Sequence, residues 1–390
     1  PDGKRVVVET PAGQQEQPYE DLLIGTGARA VSAPIDGAHL DGVFTIHSMD
    51  SAAAVRAFLR RPSDPLPPAV DMEFVDRQFV KRYAETPRPE TAAIVGGGYV
   101  GVEMAEALAG RNLDVHLFQR PAQLLPPFGT TVADEIAASL REQGVTLHLG
   151  TGVEELRGDN HVSTVVADGD VVSVDLALIG IGIRPNTGLI EDTDVELGDS
   201  GAIATDAYGQ TRVDGVYAAG DCAEMRHTVT DEPAWIPLGL TANRAGRAIG
   251  ATVAGTPTRT GSVAGTAAVK AFDTEAGRTG LLDADRIRDA GFDPVSKTVT
   301  APSRSGYYPE AAETSVTLTA DRGTGRLLGG SIVGEDRAAI RIDTLATALD
   351  QRMTVGELER LDLAYAPPFS PVWDPVLVAA KVVNGALSET

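Results

Sequence analysis

A glycine-rich turn between an apolar strand and a helix constrains this chain more than any other feature. Residues 91–95 are Thr-Ala-Ala-Ile-Val, and they are followed by Gly96-Gly97-Gly98-Tyr99-Val100-Gly101. In a dinucleotide-binding fold the first glycine makes a tight turn, the second admits a pyrophosphate, and the third lets the helix pack closely. The helix N-terminus adds free amides for the phosphates. We expect Gly96, Gly98 and Gly101 to bind a dinucleotide; the alternative is a glycine-rich turn without a ligand.

The residues at the end of the next strand bear on the choice between NADH and NADPH. Enzymes that use NAD commonly place an acidic residue there, which holds the ribose 2′-hydroxyl. This chain has Gln119 followed by Arg120. A glutamine can bond the ribose without repelling a 2′-phosphate, and an arginine can pair with that phosphate. The pattern therefore leans to NADPH, with a solvated surface charge as the alternative for Arg120.

A second signature ends another apolar strand with an acidic residue. The segment 211–221 includes Val-Tyr-Ala-Ala and ends in Gly220-Asp221, while an earlier strand at 19–25 leads into Thr26-Gly27. A carboxylate at the carboxyl end of a strand faces the ligand crevice of an α/β sheet, where it can accept hydrogen bonds from a flavin ribityl chain. By itself the segment could be a strand-ending turn. Three such motifs in this order favour two nucleotide sites.

Composition excludes several classes of partner. Net charge is −22, from 55 acidic and 33 basic residues. Such a surface repels nucleic acid and anionic membranes, so we expect neither as a partner. The few lysines favour a halophilic protein, with an ordinary acidic bacterial protein as the alternative. No apolar run is long enough to span a bilayer and no signal peptide is present, so a cytoplasmic protein is expected. One cysteine and six scattered histidines predict no metal site.

The order of apolar patterns predicts an α/β protein of three domains. We expect two Rossmann-like dinucleotide-binding domains, followed from about residue 257 by an α+β domain of a different kind without a nucleotide motif. Strands are expected at 5–10, 19–25, 91–95, 115–118, 216–219, 263–272, 295–300, 314–320 and 327–333, and helices near 132–143, 240–254, 338–351 and 374–384.

Together these motifs resemble the FAD-dependent pyridine nucleotide-disulfide oxidoreductases. Further segments are similar to the branch of coenzyme A-disulfide reductases and NADH oxidases: Trp-Ile-Pro-Leu at 235–238, Thr-Ala-Asn-Arg at 241–244, Gly-Tyr-Tyr-Pro at 306–309 and Tyr-Ala-Pro-Pro-Phe-Ser at 365–370. The resemblance covers nearly the whole chain. It implies an incomplete FAD-binding domain at residues 1–60 and 205–256, an NAD(P)-binding domain at 88–204 and a C-terminal α+β dimerisation domain at 257–390.

The resemblance implies roles for individual residues. Segment 211–221 would bind FAD through Gly220 and Asp221, with Thr26 and Gly27 close to the flavin. Asn243 would contact coenzyme A. Tyr307 and Tyr365 would reach the active site of the other subunit of a homodimer, although interface packing is the alternative for both. Where the family often has a basic residue near the substrate, this chain has Trp373.

The family begins with glycines of an FAD fingerprint and a redox-active cysteine, and neither is present in this chain. We therefore expect an N-terminal stretch to be missing and the chain as written to be inactive. The resemblance gives Cys222 as a structural residue. It implies electron transfer from NAD(P)H through FAD to coenzyme A disulfide or a related small disulfide. The alternatives are an NADH oxidase that reduces oxygen and, for the truncated chain, a non-catalytic nucleotide-binding fragment.

Overall fold

The computed structural model describes residues 3–31, 34–61 and 63–388. Its strands are β1 Arg5–Thr10, β2 Gly13–Pro18, β3 Leu22–Ile24, β4 Ala28–Ala30, β5 Val43–Phe44, β6 Thr91–Val95, β7 Asp114–Gln119, β8 Thr146–Leu149, β9 Val153–Arg157, β10 Thr164–Ala167, β11 Asp170–Ser173, β12 Leu176–Ile179, β13 Ile183–Pro185, β14 Val216–Ala218, β15 Met225–Arg226, β16 Pro233–Ala234, β17 Ala267–Ala271, β18 Thr274–Gly280, β19 Pro294–Pro302, β20 Glu313–Asp321 and β21 Leu327–Gly334. The helices are α1 Met49–Phe58, α2 Arg77–Glu85, α3 Tyr99–Ala109, α4 Thr130–Glu142, α5 Gly239–Val253, α6 Ala284–Asp289, α7 Ala338–Asp350, α8 Val355–Leu358 and α9 Pro375–Ser388.

The chain forms two compact units. The first unit comprises Pro1–Arg29, Ile183–Thr266 and Leu349–Arg352; the second comprises Ala30–Gly182, Ala267–Ala348 and Met353–Thr390. None of the helices formed by the described residues is long and apolar enough to cross a membrane. In the same residues, no cluster of three or more His, Cys, Asp or Glu side chains is placed to hold a metal ion.

The first unit is built around two adjacent parallel strands. Strand β3 pairs with β14 in register, Leu22 beside Val216 and Ile24 beside Ala218. Their apolar side chains belong to one buried cluster with Ile203 and Cys222. Because parallel strands end at the same edge of a sheet, the turns that follow β3 and β14 leave the sheet side by side.

The second unit contains a parallel sheet in the order β5-β12-β6-β7-β8. Strands β6 and β12 are apolar nearly throughout and β7 is buried over most of its length, as expected for a sheet that helices cover on both faces. Helices α3 and α4 supply much of the covering core, including Val102, Leu108, Ile136 and Leu140. This sheet confirms the predicted βαβ order.

The same unit contains an antiparallel sheet in the order β17-β18-β21-β20-β19. Strand β21 is buried along its whole length, and α9 packs on β19 and β20. The predicted strands at 295–300, 314–320 and 327–333 are confirmed, and the strand predicted at 263–272 is the shorter β17. Strand β18 was not predicted.

One predicted domain bound departs from the strand pairing. Residues 1–60 were assigned to the FAD-binding domain, but Val43 and Phe44 pair with Ala177 and Leu178 of β12. The reason is that β5 pairs with β12 at the open edge of the parallel sheet. Phe44 packs there in the core with Phe58 and Tyr83. The remaining domain bounds stay predictions.

Candidate functional site

The glycine turn lies at the switch point of the parallel sheet. Strand β6 has β7 on one side and β12 on the other, so the chain leaves β6 in one direction and returns later on the opposite side. Ligands of open α/β sheets bind outside the carboxyl ends of the strands at such a point. The turn at Gly96 follows β6 directly, and Gly180 follows β12. The fold therefore places the fingerprint at the expected crevice.

Each fingerprint glycine has its own structural reason. Gly96 has φ 111°, and a Cβ there would lie 2.3 Å from the Gly180 carbonyl oxygen. A Cβ at Gly101 would lie 1.8 Å from the Gly96 carbonyl oxygen, so α3 could not pack as it does. A Cβ at Gly98 would meet nothing within 4 Å. Close packing of the backbone therefore requires glycine at Gly96 and Gly101. Gly98 meets no such requirement and leaves open space for a ligand.

The Gln119 side chain is held by hydrogen bonds within the protein. The side chain is buried, its Oε1 accepts a hydrogen bond from Gly97 N at 2.8 Å, and its Nε2 donates to Gln123 O at 3.1 Å. These bonds hold the glycine turn against the end of β7. The predicted contact of Gln119 with a ribose would compete with both bonds, because the buried amide turns its oxygen toward the turn.

Arg120, in contrast, is exposed beside Gly152, whose added Cβ would lie 3.9 Å from the Arg120 side chain. It makes no ion pair with any residue that the structure describes. Its guanidinium is therefore free to meet an anion next to the glycine turn.

In the first unit, the two predicted flavin segments meet at one sheet edge. Gly25-Thr26-Gly27 follows β3, and Ala219-Gly220-Asp221 follows β14. The two turns are joined because Ala219 N donates to Ile24 O at 3.1 Å. Trp235 Nε1 donates to the Asp221 backbone oxygen at 2.9 Å, while the Asp221 carboxylate takes no hydrogen bond or ion pair from the described residues. That carboxylate is thus available to a ligand hydroxyl, which fits the ribityl chain of a flavin.

Asn186 and Cys222 lie against these turns, and sequence reasoning gave no role to Asn186. Asn186 follows β13, accepts a hydrogen bond from Thr26 Oγ1 on its backbone oxygen at 2.5 Å, and donates from Nδ2 to Thr26 O at 3.0 Å. Cys222 is fully buried, with its Sγ 3.3 Å from Ala219 O and 3.6 Å from Ile24 O. Asn186 therefore positions the Gly-Thr-Gly turn, and Cys222 is a packing residue under both turns. A polar residue directly after a short strand was the available signal for Asn186.

The two tyrosine loops, residues 303–308 and 365–370, lie together in the second unit. Ser305 N donates to Pro367 O at 3.3 Å. Arg341 connects both loops, because its Nη2 donates to Ser303 O at 2.7 Å and to Phe369 O at 3.3 Å. Its Nε also pairs with Asp374 at 3.1 Å, and both side chains are about nine-tenths buried. Arg341 thus links the two tyrosine loops to Asp374, and sequence reasoning missed it.

The loops present large side chains to solvent. Tyr307 is 79% exposed and Tyr365 50%, and Phe369 of the second loop is also exposed. Soluble proteins seldom expose so many large apolar groups in neighbouring loops unless they meet a partner. The structure therefore brings the two predicted tyrosines onto one exposed surface.

The predicted substrate residues Asn243 and Trp373 lie in different units. Asn243 is exposed in the second turn of α5, in the first unit, and its side chain has no partner among the described residues. Trp373 lies in the second unit and is half exposed, and Lys381 Nζ lies 5.1 Å from the centre of its ring. A cation over the indole ring means that positive charge is present beside the tryptophan after all. Lys381 lies on α9, eight residues downstream, where nothing in the sequence pattern singles it out.

Comparisons with known proteins show the family and the fold class of this chain. The family model of the pyridine nucleotide-disulphide oxidoreductases matches residues 1–246, and the model of their dimerisation domain matches residues 266–375. This chain is a member of that family. The predicted family, the mixed α/β fold and the assignment as an oxidoreductase that uses FAD and a pyridine nucleotide are confirmed.

Relatives of this oxidoreductase include a protein of Pyrococcus horikoshii named NAD(P)H coenzyme A polysulfide/persulfide reductase. It is 35% identical over 380 residues, which cover 97% of this chain and 79% of that protein. A Methanocaldococcus jannaschii protein named NADH oxidase is 30% identical, covering 96% and 78%. Among solved structures, an NAD-dependent persulfide reductase from A. fulgidus superposes with a TM-score of 0.89 at 31% identity, covering 100% of this chain and 67% of that one.

Proposed function

We propose that this oxidoreductase passes electrons from NAD(P)H through FAD to a sulfur–sulfur bond of a coenzyme A species, either the disulfide or a persulfide. The meeting of the Gly25–Gly27 turn with the free Asp221 carboxylate at one sheet edge carries the proposal. That edge offers a flavin both a turn with glycine on either side of Thr26, where the backbone can be approached closely, and a hydrogen-bond acceptor. The persulfide reductase named among the relatives supports the sulfur substrate.

The residues of this chain would bind and orient the reactants. Gly98 and the first amides of α3 would hold the pyrophosphate of the nicotinamide cofactor, because these amides have no partner within the helix. Asp221 would accept hydrogen bonds from the ribityl hydroxyls, and Asn186 would keep the Gly-Thr-Gly turn in place. A bound flavin supplies the two-electron chemistry that no protein side chain provides.

For the coenzyme A part, we propose Asn243 as a contact and Lys381, held over Trp373, as the positive charge near the substrate. Tyr307 and Tyr365 would act across a homodimer, since both are exposed in a region that matches a dimerisation domain. Asn243 and the tyrosines would then belong to different subunits of one site.

A single assay tests this function. The full-length protein is given NADPH or NADH without oxygen, with coenzyme A disulfide and, separately, coenzyme A persulfide as acceptor. We expect loss of reduced cofactor that depends on the acceptor. Each reduced cofactor consumed should release two thiols from the disulfide, or one thiol and one sulfide from the persulfide. No acceptor-dependent turnover in a preparation that contains flavin would contradict the proposal.

Oxygen reduction is the second candidate, because the Methanocaldococcus jannaschii relative is named an NADH oxidase. The same preparation in air, without a sulfur acceptor, separates the two functions. An oxidase consumes oxygen at a rate that equals or exceeds its rate with the sulfur acceptors.

We propose a preference for NADPH that depends on Arg120. Replacing Arg120 by Gln should raise KM for NADPH about tenfold, the effect of one lost charge-assisted bond, while KM for NADH stays unchanged. The control is Arg141→Gln, an exposed arginine in the last turn of α4. Equal effects on both cofactors, or none, would leave Arg120 a solvated surface charge.

We also propose adaptation to high salt, on the basis of the net charge of −22. The screening length falls from about 10 Å at 0.1 M to about 3 Å at 1 M, so repulsion among the carboxylates weakens. The unfolding temperature should therefore rise markedly over that range in sodium or potassium chloride. A constant unfolding temperature would indicate an ordinary acidic protein.

A further inference from the structure

A cavity of about 360 Å³ in the second unit has none of the predicted site residues in its lining as the structure describes it, although it shares Gln123, the partner of Gln119, with the surroundings of the glycine turn. It opens between the residues that begin α4, Gly129 to Thr131, and the antiparallel sheet. We call it the arginine pocket, because Arg278 of β18 and Arg286 of α6 line it. Its volume falls in the range of small-molecule sites, about 300–1,000 Å³.

A row of polar side chains crosses the floor of the arginine pocket. Thr298 is opposite Thr317, Thr317 is opposite Ser331, and Ser331 is opposite Arg278 in the strand register. Directly opposite residues project from the same face of a sheet, so these four side chains face the cavity together. The two threonine hydroxyls bond each other at 2.8 Å. Ser331 is 2% exposed, and its hydroxyl has no partner among the described residues.

Arg278 is a half-buried cation without a counter-charge among the described residues. Its Nη2 donates to the Gly280 carbonyl and its guanidinium bonds the Tyr99 hydroxyl, but its Nε is buried with no hydrogen-bond partner. No carboxylate of the described residues lies within ion-pair distance of it. Arginine stays charged at all relevant pH values, and a buried charge without a partner is costly. An anion bound beside Arg278 would supply the missing counter-charge.

The second arginine adds to this imbalance. Arg286 also has no ion pair among the described residues. Burial lowers the pKa of Arg278, and the like charge of Arg286 acts in the same direction. The one acidic side chain that lines the cavity, Asp283, accepts a hydrogen bond from Arg286 N as the cap of α6. The lining thus has one net positive charge in a chain whose net charge is −22.

The N-terminus of α4 points to the same kind of ligand. This helix has 13 residues, and its cap, Gly129, offers no side-chain acceptor to the first amides. These amides carry the positive end of the helix dipole. Thr130 and Thr131 stand at that end and line the cavity.

We propose that the arginine pocket is a second ligand site, which binds the phosphoryl group of a small anion through Arg278, Arg286, Ser331 and the first amides of α4. Arg278 and Arg286 supply the charge, and Ser331 supplies a hydroxyl that has no other partner. The ligand is either inorganic phosphate or a small organic phosphate, since both carry the same tetrahedral oxyanion.

Calorimetric titration of the full-length protein tests this site at constant ionic strength, balanced with sodium chloride. Inorganic phosphate is the first probe and glycerol phosphate the second. We expect saturable binding of at least one of them, and tighter binding of one identifies the source of the phosphoryl group. Arg278→Gln and Arg286→Gln should each weaken binding about tenfold or more, because each removes a charge-assisted bond.

Arg288→Gln is the matched control, since Arg288 lies on the same helix, pairs with Asp285 on the surface and does not line the cavity. It should bind phosphate as the parent does. Arg286 is exposed, so its variant should fold even if loss of Arg278 impairs folding. The proposal is overturned if neither probe binds, or if Arg286→Gln and Arg288→Gln bind alike. If neither phosphate gives a saturable heat of binding, partners within the assembled protein satisfy the charges of Arg278 and Arg286.

Discussion

Replacing Gly98 by Ala should weaken NAD(P)H binding about 100-fold, two steps of 1.4 kcal/mol, because the methyl group holds the pyrophosphate away from the amides that bind it. The variant should fold normally. Gly98 has φ −83° and ψ −166°, which alanine also adopts, and the added Cβ meets nothing within 4 Å. We expect the free energy of unfolding to change by less than about 1 kcal/mol, the usual range for a residue at a helix cap. Fluorescence titration with NADPH and NADH, together with denaturant unfolding, measures both quantities.

Gly101→Ala is the control that separates a ligand effect from a packing effect. Its Cβ would lie 1.8 Å from the Gly96 carbonyl oxygen, so the helix must move away from the strand. This variant should lose about 1–3 kcal/mol of stability, the usual result of overpacking, together with cofactor affinity. If Gly98→Ala bound NAD(P)H as tightly as the parent, the open space above Gly98 would not be the pyrophosphate site.

Replacing Arg341 by Met should lower the free energy of unfolding by about 3–5 kcal/mol, because it leaves the buried Asp374 carboxylate without its counter-charge. Arg341 also donates to the backbone oxygens of Ser303, Asp336 and Phe369, so the same change releases both tyrosine loops. We expect weaker dimerisation to accompany the loss of stability. Denaturant unfolding and sedimentation at several protein concentrations measure the two effects.

A surface pair of the same chemistry provides the comparison. Arg322 pairs with Asp293 at 3.0 Å, and the two side chains are 40% and 64% exposed. Arg322→Met should cost about 1 kcal/mol or less, because water screens an exposed pair. Equal losses in the two variants would show that burial of the Arg341 pair does not determine its contribution.

The acidic partners of this network make the fold sensitive to acid. Hydrogen bonds from Arg304, which lies next to Ser303, lower the pKa of Asp336 from its usual value of 3.8. A carboxylate with a lowered pKa in the folded state stabilises the protein above its unfolded pKa, and that contribution is lost as the pH falls below it. Stability supplied by Asp336 is therefore complete at neutral pH and declines below about pH 3.8.

Sequence patterns succeeded where local physics decides the outcome. The apolar run before Gly96 and the glycines after it require a strand, a tight turn and a helix in any context, and β6 and α3 have that order. Strand β2, in contrast, is polar and exposed at every position, so no apolar pattern marks it. It exists because its backbone pairs with β1.

Strand β18 shows the same limit within the core. Its sequence, Thr-Glu-Ala-Gly-Arg-Thr-Gly, has little strand propensity. Gly277 is required because a Cβ there would lie 2.8 Å from Ile342 of α7, a residue 65 positions away by the difference of the two numbers. Burial of this strand therefore depends on partners that no local window of sequence contains.

The sequence by itself determined the family of this protein, the order of its nucleotide motifs and the turn that receives a dinucleotide, since each depends on neighbours within a few residues. Only the tertiary structure decided that Gln119 bonds the glycine turn, that Arg341 links the tyrosine loops and that Arg278 faces a cavity without a counter-charge. The physical reason is that side-chain hydrogen bonds and ion pairs form between residues far apart in the chain. Which residues become partners, and which charges are buried without one, depends on the folded structure.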